Sequence, residues 1–61
     1  MMTDMLPQDP FMLMSYINTM LRDRYRSLDE LCAAMDIDRK WLENKLRKAG
    51  FEYNEPLNKF W

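Results

Sequence analysis

The sequence predicts a mainly α-helical fold: a three-helix bundle, its second and third helices forming a helix-turn-helix, followed by a short C-terminal β-hairpin in winged-helix-like order. Three observations predict it. Apolar residues recur at helical spacing in three separate stretches, and each stretch opens on a side chain suited to capping a helix. After the only glycine, Gly50, the period drops from 3.6 towards 2. The helices are expected at about 10–25, 28–35 and 39–49 and the hairpin at about 51–61, within one small domain (9–61) preceded by an N-terminal arm (1–8).

The first helix should begin at Asp9-Pro10, an acceptor at the cap followed by the residue best suited to the first turn. Ser15, Thr19, Arg22 and Arg26 recur along its polar side, while Leu13, Ile17, Met20 and Leu21, with Met14 and Tyr16, fill the other. That apolar side is wider than one seam requires, so it should meet more than one neighbour. Ser27-Leu28-Asp29-Glu30 is a capping box, in which the Ser27 hydroxyl accepts from the Glu30 amide and the carboxylate reaches back. Behind it, Leu28, Leu31, Cys32 and Met35 form one buried stripe. Asp36-Ile37-Asp38 breaks the helix, and Asp38 can cap the third, whose stripe is Leu42, Leu46 and Ala49 with Trp41 beside it. Gly50 is placed to end it in the left-handed conformation. Phe51-Glu52-Tyr53 and Lys59-Phe60-Trp61 flank a turn-rich pentapeptide, which reads as a hairpin. An isolated two-stranded ribbon is unstable, so Phe51, Tyr53 or Phe60 must lean on the helices.

Sixty-one residues, 48% of them hydrophobic and 31% charged, leave little room for a deep pocket. One cysteine and no histidine exclude an internal disulfide and a zinc site of Cys/His type. Asp36-x-Asp38 fails as a calcium loop, because Trp41 stands where glycine is needed and Arg47 where glutamate is needed. Cys32 has no histidine to activate it and falls on a buried stripe. A non-enzymatic protein without cofactor or metal is therefore expected. The acidic N-terminal segment is unlike a secretory signal, and no run approaches the ~20 apolar residues of a membrane span. A cytoplasmic location is the expectation.

The second and third helices match helix-turn-helix dimensions, with two departures: Cys32 where alanine is frequent and Asp36 where glycine is frequent. Cysteine is small, and aspartate tolerates the left-handed conformation better than most residues. Formal charge is −1 overall, yet 38–50 carries five basic and two acidic residues while 27–37 carries three acidic and none basic. Candidate nucleic-acid contacts on the third helix are Arg39, Lys40, Asn44, Arg47 and Lys48, side chains with donors for phosphates and base edges. Against this, Arg39/Glu43 and Glu43/Arg47 are opposite-charge pairs of the kind that decorate ordinary solvated helices. A basic face continuous with Arg22, Arg24 or Arg26 would favour DNA, and interruption by Asp29, Glu30 or Glu43 would disfavour it.

Seven methionines and eight aromatics exceed what so small a core needs. Phe11, Met12, Phe60 and Trp61, with Met1, Met2 and Met5 of the arm, are candidates for an exposed apolar surface that docks a protein partner or a second copy. The alternative is that the methionines fill gaps and Trp61 folds back on the body. The leading expectation is a small binding module acting by protein–protein interaction or homodimerisation; the second is DNA binding by the third helix.

Taken together, Leu6-Pro7-x-Asp9-Pro10, Ser15-x-x-Asn18, Leu21-Arg22-Asp23-x-Tyr25, Ser27-Leu28-Asp29-Glu30-Leu31-Cys32, Gly50-Phe51-x-Tyr53-Asn54 and Asn58-x-Phe60 resemble a short bacterial family, domain of unknown function 4250. The resemblance runs from about Leu6 to Phe60, with Phe51 where tyrosine is common. It implies a free-standing protein of this length and supplies no catalytic or binding residues.

Overall fold

A computed structural model describes residues 6–61; Met1, Met2 and Met5 of the expected arm lie outside them. Helix α1 spans Pro10–Asp23 and begins as its sequence dictates: the Asp9 carboxylate accepts from the Met12 amide at 3.0 Å, and Pro10 is the first helical residue. It ends two residues earlier than the expected 25, because the Arg24 and Tyr25 amides both donate to the Met20 carbonyl (2.8 and 3.1 Å). Helix α2 spans Leu28–Met35, and the Ser27 hydroxyl accepts from the Glu30 amide at 3.1 Å. Asp36 ends α2 in the left-handed conformation (φ 55°, ψ 48°), and the next amide, that of Ile37, returns to the Cys32 carbonyl at 2.9 Å. Ile37 is buried and fills the corner before Asp38 caps helix α3, Arg39–Arg47, by accepting from the Lys40 amide at 3.0 Å.

Helix α3 stops at Arg47, two residues before the expected 49, because its last turn tightens: the Ala49 amide bonds back only three residues, to Leu46. Gly50 (φ 93°) then closes a Schellman motif, its amide on the Arg47 carbonyl and the Phe51 amide on that of Leu46, both at 2.9 Å. A Cβ built on Gly50 meets nothing within 4 Å, so Gly50→Ala carries backbone strain and no clash. The expected cost is about 1–2 kcal/mol, or roughly 4–8 °C in melting temperature per kcal/mol. Thermal unfolding followed by circular dichroism checks it, and an unchanged midpoint would count against the strain.

Strands β1 (Tyr53–Asn54) and β2 (Lys59–Phe60) pair antiparallel, Tyr53 opposite Phe60 and Asn54 opposite Lys59. Glu52 and Trp61 exchange backbone bonds of 3.2 and 3.0 Å beyond them. The hairpin follows α3 as expected, and it lies back against α1. Two asparagines fasten it there. Because Glu52 and Trp61 form a hydrogen-bonded pair, the next pair, Tyr53 and Phe60, turns its backbone groups outward. The Asn18 side chain takes both outward groups of Phe60, accepting from its amide at 2.7 Å and donating to its carbonyl at 2.9 Å. Asn58, itself left-handed (φ 52°), donates to the Leu21 and Tyr25 carbonyls at the end of α1 (3.2 and 3.1 Å). Its amide oxygen accepts from the Tyr53 hydroxyl at 2.6 Å, and that hydroxyl accepts from the Leu28 amide at the start of α2. Asn58 and the Tyr53 hydroxyl together thus tie the hairpin to the end of α1 and the start of α2.

The core consists of Leu6, Leu13, Ile17, Leu21, Leu28, Leu31, Cys32, Met35, Ile37, Leu42, Leu46 and Phe60. Leu6 brings the end of the expected arm into this core. Burial pushes the Cys32 thiol above its ordinary range, consistent with a packing role. Phe60, expected at an interaction surface, is instead 1% exposed. The cause is strand alternation: β2 turns Phe60 inward and its neighbours Lys59 and Trp61 outward.

Candidate nucleic-acid and interaction surfaces

Helix α3 presents its nucleic-acid candidates in two separate groups. Leu42 and Leu46 hold one side in the core, which places Lys40, Asn44 and Arg47 on the opposite side at helical spacing. Arg39 and Glu43 lie towards α2 and the hairpin. Arg39 is drawn into two ion pairs there: its Nη1 reaches Asp29 at 2.6 Å and its Nε reaches Glu43 at 2.8 Å. The guanidinium also sits 5.5 Å from the centre of the Tyr53 ring. Those hydrogen bonds, to Asp29 first and Glu43 second, raise its pKa above the ordinary arginine value. Asp29 is largely exposed, so the cluster contributes about 0–1 kcal/mol to stability. It removes Arg39 from the expected basic face and sets two carboxylates into that face. Together with Asp36 and Asp38 in the turn, they make the N-terminal end of α3 acidic.

The other flank differs. Trp41, Asn44, Lys45 and Lys48 line a shallow depression with Pro10 of α1. Trp41, expected beside the buried stripe, is 39% exposed, and the Lys45 ammonium stands 5.9 Å from its ring centre. Among the described residues, no carboxylate pairs with Lys40, Lys45, Arg47 or Lys48, and the expected Glu43–Arg47 pair is not formed. Trp41 and Lys45 were not among the nucleic-acid candidates. Their spacing from Lys48 (i, i+4, i+7) was the signal that could have joined them.

Two of the apolar candidates, Phe11 and Met12, lie in the first turn of α1, and Trp61 lies at the end of the hairpin. Phe11 and Met12 are 61% and 63% exposed, and Trp61 is 67% exposed. Phe11 meets Phe51 edge to face, with ring centres 5.3 Å apart. Phe51 is followed by Glu52, the backbone partner of Trp61, so the chain carries Trp61 one residue pair away from the Phe11–Phe51 contact. Lys59 lies over the outer face of the Trp61 ring at 4.5 Å. Of the four apolar candidates among the described residues, the structure therefore exposes three and buries the fourth.

Among the described residues, no helix is long and apolar enough to cross a membrane. No curated protein and no solved structure matches the chain. The segments that carried the resemblance correspond to the observed caps, the Gly50 terminator and the two asparagine anchors, and residues 7–60 match a family model: the chain belongs to the family described as Domain of unknown function (DUF4250).

Proposed function

We propose that the protein is a non-catalytic binding module that associates with a second copy of itself through Phe11, Met12 and Trp61. The observation that supports this reading is that the core closes without these three side chains, which stay more than three-fifths exposed. Leaving them in water forgoes burial worth about 25 cal/mol per Å² of apolar surface. A two-fold axis through the α1–hairpin end would cover the same patch on both copies at once. The added apolar contact would also support a chain whose own core is small.

Sedimentation equilibrium from micromolar to millimolar protein tests the proposal. A concentration-dependent dimer is expected, weakened by Met12→Ser and Trp61→Ser, neither of which removes a core residue. A strict monomer across that range overturns it, as does a dimer that both substitutions leave unchanged.

A further inference from the structure

We infer that the Trp41 flank of α3, which meets the start of α1 at Pro10, is a binding surface for single-stranded nucleic acid. Duplex-reading helix-turn-helix proteins present the N-terminal residues of the second helix to the base edges. In this chain that end is flanked by Asp36 and Asp38, and Arg39 is engaged by Asp29 and Glu43, so its charge opposes a phosphate backbone. The α3 cations without a carboxylate partner among the described residues lie further along: Lys45 and Lys48 border Trp41, Lys40 is on the outer side, and Arg47 is towards the hairpin.

What distinguishes this flank from an ordinary solvated face is the indole in its midst. Trp41 is 39% exposed and borders the depression shared by Asn44, Lys45, Lys48 and Pro10. An aromatic platform beside cations is the arrangement that holds single strands, because every base has a face to stack and each phosphate can meet an ammonium. A paired duplex keeps its bases stacked on one another and cannot use Trp41 in this way. Lys45 stands 5.9 Å from the centre of the indole ring, close enough for its ammonium to meet the phosphate of a nucleotide stacked there. Asn44 adds an amide donor and acceptor for a base edge.

The test is fluorescence anisotropy of labelled oligothymidylate with the full chain at low and moderate salt, with a blunt mixed-sequence duplex and polyglutamate as competitors. Binding at low salt is expected, with affinity falling as salt rises. Removing Lys45 and Lys48 together should lessen the logarithmic salt slope by roughly 0.7 for each phosphate that is no longer neutralised. Trp41→Ala should weaken binding on the order of tenfold, and Trp41→Phe should recover part of that affinity. In a Trp61→Phe chain, the oligonucleotide should quench the remaining indole. Absence of binding at low salt overturns the proposal, as does binding that Trp41→Ala leaves unchanged. Polyglutamate competing equally would reduce the surface to charge alone, and a preference for the duplex would return the reading to groove docking; either result overturns it. Far-UV circular dichroism establishes that each variant is folded, and the lysine pair keeps the proposal testable if Trp41→Ala is not.

Discussion

Phe60→Ala is expected to remove a large part of the chain's stability, while Trp61→Ala, one residue further on, should remove little of it. Phe60 is 1% exposed, its ring packs 5.5 Å from that of Tyr53, and its backbone is held by Asn18. Truncating a buried phenylalanine costs about 3–5 kcal/mol. A chain of this length has a total stability of roughly 3–9 kcal/mol, so the substitution takes a large part of what there is. Trp61 is 67% exposed, and its truncation should cost about 0.5–1 kcal/mol, mainly from its contact with Lys59. Urea unfolding followed by circular dichroism separates the two. Equal destabilisation at both positions would mean that β2 does not turn Phe60 inward and Trp61 outward.

Asn58 should rank next, although nothing about its local sequence marks it as important. Asn58→Ala removes two donors from the Leu21 and Tyr25 carbonyls and an acceptor from the Tyr53 hydroxyl, and it places alanine at φ 52°. Unsatisfied groups of this kind cost about 1–3 kcal/mol, and the left-handed backbone adds about 1 kcal/mol. A fall in melting temperature of at least roughly 10 °C follows for a domain this small. Asn58→Gly separates the two contributions, since it accepts the backbone angle and lacks the amide. It should recover only the conformational part. If Asn58→Gly is as stable as the parent, the side-chain network carries no weight.

These two residues also show where the sequence stops being readable. Caps and helix ends are local: Asp9, Ser27, Asp38 and Gly50 act on partners within four residues as their chemistry predicts, although among the described residues the Glu30 carboxylate makes no return bond to the Ser27 amide. Core stripes repeat with the helical period, so Leu13/Ile17/Leu21 and Leu42/Leu46 declare their face in advance. Asn18 and Asn58 bond to backbone groups 33 to 42 residues away, and no periodicity encodes such a partner. They were visible only as parts of the family resemblance, without a role. Phe60 is a different case, because strand alternation in Lys59-Phe60-Trp61 already separates one inward aromatic from one outward.

The surface shows the same division. Helical phase alone places Lys40, Asn44 and Arg47 outward, and the excess of apolar residues singles out Phe11 and Met12 at the start of α1. Neither could show that Arg39 would be drawn between Asp29 of one helix and Glu43 of its own, because Asp29 comes within reach only once the α2–α3 corner has formed. The basic third helix read from composition is therefore two surfaces, a neutralised one facing α2 and a cationic one centred on Trp41.

The grip of Asn18 on Phe60 also bears on how the protein can fail. A small sheet with two open edges can recruit a strand on each side, and repeated addition makes a fibre. Here a helix side chain fills the place of the next strand beside β2, leaving β1 as the side on which a strand could add. Pairing through β1 would join two molecules and then stop, each capped on its far side by its own Asn18, so the contact yields a closed pair and no growing polymer.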